Sequence, residues 1–240
     1  MRWLSALVLA SAWLLLPPSG RAETPTEPAA VAPQEAAAPS AGAPLGTAPL
    51  GTAPGPTEEA KIEGFRSAVF GMTEAQVRQA IRKDFAGPNG EKITSEPHAS
   101  EKTTVLTVQV PDLIPGAGRA RVAYIIGYTT KKLIQVNVTW TAEAKSAGAE
   151  GVVGAANLLR NHFLAAGYQP NSILANQQMP HGYVVFRGLD AGGHMVMLML
   201  AGAVGTEAEK EKNLPPITLQ LSYVLDPQHP DIYRVSKGQF

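Results

Sequence analysis

Three stretches in the middle of the chain alternate apolar and polar residues with a period of two. Leu106, Val108 and Val110 alternate with Thr107 and Gln109. Val122, Tyr124, Ile126 and Tyr128 alternate with Arg121 and Ala123. Ile134, Val136, Val138 and Trp140 alternate with Gln135, Asn137 and Thr139. A period of two places the apolar set on one face of a β-strand and the polar set on the other. The connections at 111–118 and 129–132 are too short for a parallel crossover, so the strands are predicted to be antiparallel. A second set follows at Tyr183–Arg187 and His194–Leu200, joined through Leu189-Asp190-Ala191-Gly192-Gly193. Its last run has Ile217, Leu219, Leu221 and Tyr223 opposite Thr218, Gln220 and Ser222.

Helical spacing precedes each set. Thr73 is a natural N-cap and Gln76 completes a capping box, with Met72 and Val77 placed as a hydrophobic staple. Val77, Ala80 and Ile81 form an apolar face, Arg78, Arg82 and Lys83 a wet one, and Gly87-Pro88-Asn89-Gly90 is a stop signal. A second helix is predicted near 150–166, from Val152, Ala156, Leu159 and Phe163, with Gly167 as its stop. The order predicts an α+β fold of two tandem helix-strand-strand-strand units, about residues 60–141 and 149–225. The helices would pack on one face of antiparallel sheet. Each helix would roof its own three-stranded meander. The rows Gln135, Asn137, Thr139 and Thr218, Gln220, Ser222 would stay wet and free to meet a partner. From Asp226 onward the chain reads as irregular.

The N-terminal region has a different pattern. Arg2 precedes an uncharged stretch from Trp3 to Leu16, then Pro17-Pro18 and the small residues Gly20 and Ala22. This is the layout of a signal peptide cleaved after Ala22, too short in its apolar run for a bilayer span. Residues 23–59 are dominated by Ala, Pro, Gly and Thr, and Leu-Gly-Thr-Ala-Pro occurs twice in tandem at 45–54. Such a composition cannot bury enough apolar surface to fold and reads as a disordered, semi-rigid tether. The domain is then residues 60–240.

Composition narrows the picture. Cysteine is absent, which excludes disulfide stapling and the lipid-bearing Cys of a lipoprotein. The expected location is therefore periplasmic or secreted, with no stable membrane span after signal cleavage. The formal net charge is zero. Five glutamates lie within residues 23–59, so the chain from Ala60 carries 18 basic and 15 acidic side chains. That small excess does not make the basic footprint of a nucleic-acid binder.

Candidate chemistry is sparse. Gly116-Ala117-Gly118-Arg119-Ala120-Arg121 lacks the third Gly of a dinucleotide fingerprint and precedes a strand, so it reads as a hairpin loop. His181 and His194 flank one hairpin with Asp190 at its turn, too few ligands for zinc. Met195, Met197 and Met199 alternate along one strand and could suit copper, but Val196, Leu198 and Leu200 make the strand read as buried on both sides. Asp226, His229 and Asp231 form an acid-base cluster on paper, broken by Pro227 and Pro230. His162 reads as a helix-surface histidine, and Arg119, Arg121, Lys131 and Lys132 as solvated surface. No catalytic, cofactor or metal residues are assigned, and no enzyme activity is expected.

The stretch Phe70-Gly71-Met72-Thr73-Glu74-Ala75-Gln76-Val77-Arg78 resembles the helix opening of the SmpA/OmlA (BamE-like) envelope proteins. The repeated pattern is similar to the tandem-repeat fold of β-lactamase inhibitor proteins. The chain departs from the first family in lacking the lipid-bearing Cys and the Leu-Gly-x-Pro helix ending, having Ile81-Arg82-Lys83-Asp84-Phe85 instead. The resemblance implies a non-catalytic envelope module that binds another envelope protein. The alternative is a binder of a small ligand or cell-wall component, using a cleft between the two halves.

Overall fold

The computed structural model describes residues 59–85, 92–143, 146–202, 216–235 and 238. The expected signal peptide, and the tether up to residue 58, lie outside them. The chain enters through a short antiparallel ribbon, β1 (Gly64–Phe65) and β2 (Ala68–Val69), and then α1 (Glu74–Phe85). Strands β3 (Thr94–Pro97), β4 (Thr104–Val110), β5 (Ala120–Ile126) and β6 (Leu133–Ala142) follow. Next come α2 (Ala147–Leu164), a 3-10 turn at Pro170–Ser172, and β7 (Leu174–Met179), β8 (Gly182–Leu189), β9 (Met195–Ala201) and β10 (Ile217–Val224).

Local signals set the helix starts. The Thr73 backbone N–H donates to Gln76 Oε1 at 2.9 Å, and the Gln76 N–H donates back to Thr73 Oγ1 at 3.4 Å. That reciprocal pair is a capping box. In α2, Ser146 Oγ accepts from the Ala149 N–H. This N-cap begins the helix earlier than the apolar spacing alone suggests.

Eight strands form one antiparallel sheet in the order β3-β4-β5-β6-β10-β9-β8-β7. Register lines up apolar rows across it. Val108, Val122, Val138, Leu221, Leu198 and Phe186 form one row; Val110, Ala120, Trp140, Leu219, Leu200 and Tyr183 form another. These rows join Val77 and Ile81 of α1 and Val152, Ala156 and Phe163 of α2 in one continuous core. Each large side chain so buried contributes roughly 1.5–3 kcal/mol.

This corrects the expected fold class. The protein is not two tandem helix-strand-strand-strand units of an α+β layer; it is mostly one large antiparallel sheet with two helices. Two physical reasons account for the error. First, β3 and β7 sit at the sheet edges and are almost wholly exposed, so they carry no apolar alternation to read. Second, β6 and β10 pair along eight register partners, so no boundary separates the halves. The helices do not roof separate meanders either: α2 packs on β6 as well as β8, β9 and β10, while α1 meets β2 and β4.

Residues 59–72 form a strap that ties distant parts together. The Ala60 N–H donates to the Gly167 carbonyl and the Ile62 N–H to Asp190 Oδ2, at 2.9 and 2.8 Å. Phe65 stacks on Tyr223 at 5.9 Å. The Gly71 N–H then donates to the Leu133 carbonyl. The C-terminal segment, expected to be irregular, is a second clasp. The Leu225 N–H donates to the Ile134 carbonyl, the Tyr128 N–H to the Asp231 carbonyl and the Tyr233 N–H to the Glu101 carbonyl.

Candidate functional site on the outer sheet face

Side chains alternate across a pleated strand, so the residues between the core rows point away from both helices. Thr107, Ala123, Asn137, Ser222, Met197 and Arg187 share one outer row. Gln109, Arg121, Thr139, Gln220, Met199 and Val184 share the next. None of these twelve belongs to the core that holds the helices.

All six residues expected at the partner-facing surface fall on this outer face, on the adjacent strands β6 and β10. Asn137 stands opposite Ser222, Thr139 opposite Gln220, and Thr218 opposite Thr141. Hydrogen bonds tie the patch together: Gln135 Nε2 donates to Asn137 Oδ1 at 2.8 Å, and Gln220 Nε2 to Ser222 Oγ at 3.1 Å. The rows are not uniformly wet, however. Asn137 is 8% exposed and Ser222 3%, because they lie at the sheet centre among longer neighbours. They anchor the two glutamines, while Gln135, Thr139, Thr218 and Gln220 present the accessible polar groups. Side chains already fixed in this way lose less freedom on binding.

The methionine row is corrected. Val196, Leu198 and Leu200 of β9 enter the core, but Met197 and Met199 are half-buried on the outer face beside Ser222 and Gln220. The strand is central, yet only one of its sides is core. Arg121 and Arg187 also lie on this face, in β5 and β8. Alternation within β9 was visible in the sequence; its neighbourhood with β10 was not, because that depends on strand order.

Among the other candidates, the two hairpin histidines stand apart. His181 precedes β8 and His194 follows the turn at its far end, so the length of the strand, about 23 Å by its rise per residue, separates them. Among the described residues no three His, Asp or Glu side chains gather as a metal site. Asp190 is instead structural. Its buried carboxylate accepts from the Ile62 N–H, the His194 N–H and His194 Nδ1, at 2.8, 2.9 and 3.0 Å. Asp226 accepts from the backbone N–H groups of Gln228 and His229, and these bonds, His229 first, hold its carboxyl below the ordinary range. For Asp231, partial burial pushes the carboxyl up. Hydrogen bonds from the Thr130 hydroxyl and the Thr130 and Thr129 N–H groups outweigh that and leave it lowered. Both aspartates anchor turns; His229 Nδ1 also stands 3.6 Å from Asp226 Oδ2, and Asp226, His229 and Asp231 line one hollow. His162 is exposed on α2 against the Phe163 ring.

No known protein family, curated protein or solved structure matches the chain.

A shallow hollow of about 310 Å3 opens where β6 and β10 meet the C-terminal clasp. Gln135, Val224, Leu225, Asp226, His229 and Asp231 are among the residues that line it. Among the described residues no helix is long and apolar enough to cross a membrane.

Proposed function

We propose that the protein is a non-enzymatic binding or assembly module of the periplasm or cell exterior, engaging another envelope protein through the outer face of its sheet. The observation that carries this reading is the convergence of Gln135, Thr139, Thr218 and Gln220 into one accessible patch braced by Asn137 and Ser222. The signal-peptide pattern of residues 1–22 supports the location, and the likeness of residues 70–78 to the helix opening of SmpA/OmlA proteins supports an envelope role. The alternative, a small-ligand or cell-wall-component binder, would use the hollow beside β6 and β10.

The test is affinity capture from envelope extracts with the native domain and with Gln135→Lys and Gln220→Lys, two accessible positions whose charge should not unfold the sheet. Melting temperature is followed in parallel. The expected result is a defined partner that the folded variants fail to capture. Capture of the same proteins by native and variant chains would reject the face as the site. A melting-temperature rise with peptidoglycan fragments, without any captured protein, would move the reading to the hollow.

A further inference from the structure

We infer, on the reading that this face is the binding surface, that its partner presents an acidic, extended polypeptide segment lying across the strands. Between β4 and β8 the outer face carries two charged strand residues, Arg121 and Arg187, and no Asp or Glu. Arg121 is half-buried and Arg187 exposed. No ion pair or side-chain hydrogen bond engages either guanidinium among the described residues. Among the described residues, acids lie only at its margins: Glu96 on the edge strand β3, and Asp226 and Asp231, turn-anchoring carboxylates that line the hollow beside Gln135.

The two arginines bracket the patch. Arg121 sits in the row of Thr139, Gln220 and Met199; Arg187 sits in the row of Ser222 and Met197. Four strand spacings separate β5 from β8, which is about 19 Å. An extended chain covers that in roughly six residues. Two carboxylates that far apart would each meet a guanidinium, which favours planar acid partners. Between them, the Gln and Thr side chains of β6 and β10 offer donors and acceptors for peptide groups. Met197 and Met199 offer a deformable apolar seat for a side chain. Arginine and methionine are also enriched in protein interfaces relative to other surface residues. An anionic membrane would use the arginines but leave the recessed amide and hydroxyl patch without partners.

The probe is poly-L-glutamate, titrated by calorimetry against the folded domain at low salt, with poly-L-lysine and phosphatidylglycerol vesicles as comparison arms. Binding to polyglutamate is expected to weaken about tenfold with each of Arg121→Ala and Arg187→Ala and to vanish at high salt. The double variant Arg82→Ala/Lys83→Ala, which removes twice the charge of either from α1, should bind as the native domain does. No binding, or equal loss from the α1 variant, overturns the inference. Vesicle binding with the same arginine dependence and no polyglutamate binding overturns it in favour of a membrane surface. If Gln135→Lys and Gln220→Lys abolish envelope capture while polyglutamate fails to bind, the face remains the site and only its acidic partner is rejected.

Discussion

Asp190 ties the entering strap to the β8–β9 turn. Its carboxylate is 2% exposed and accepts three hydrogen bonds, two from His194 and one from Ile62 in the entering strap. A buried donor left without a partner costs roughly 1–3 kcal/mol. Asp190→Ala is therefore expected to lower stability by about that amount in a urea melt, with Asp190→Asn losing less because one acceptor oxygen remains. A change within measurement error would mean that the strap is held by other contacts. In the sequence this residue stood only as the turn between His181 and His194, a set with too few ligands for zinc. Its structural role depends on which neighbours fold onto it: Ile62 is 128 residues away in the chain, and no local pattern announces the pair. Local cues succeeded where the partner is near, as with the Thr73–Gln76 capping box.

At the scale of elements, α2 illustrates two glycines with opposite roles. A Cβ on Gly151 would overlap the Gly116 carbonyl oxygen, whereas a Cβ on Gly154 would meet nothing within 4 Å. Alanine is the better helix former by about 1 kcal/mol. Gly154→Ala should therefore stabilise by roughly 0.5–1 kcal/mol. Gly151→Ala should destabilise, because displacing a backbone carbonyl outweighs the propensity gain. Thermal melts of the two variants should move in opposite directions; a shared direction would place α2 farther from the β4–β5 loop than it stands here. Strands β3 and β7 teach a related lesson. Their residues face water on both sides, so the burial that creates alternation never acts on them. Pro97 in β3 and the positive φ of Asn176 in β7 suit edges that resist further pairing.

For the molecule as a whole, the junction of β6 with β10 decides both fold and site. The core runs unbroken from α1 through every central strand to α2, and α2 packs on both sides of that junction. Residues 60–143 and 146–240, made as separate fragments, are expected not to fold, and the intact domain to unfold in one cooperative transition. Circular dichroism and the dispersion of amide NMR signals measure this; a folded half would restore the tandem-unit description. Sequence by itself determined the parity of the central strands, the start of α1 and the absence of disulfides, because each depends on neighbours a few positions apart. It also picked out Gln135, Thr139, Thr218 and Gln220 as outward-facing. Only the tertiary structure decided that these residues share one patch, that Asn137 and Ser222 lie beneath it, and that Met197, Met199, Arg121 and Arg187 frame it. Strand order and register are set by long-range burial of the whole apolar face at once, and no single segment encodes them.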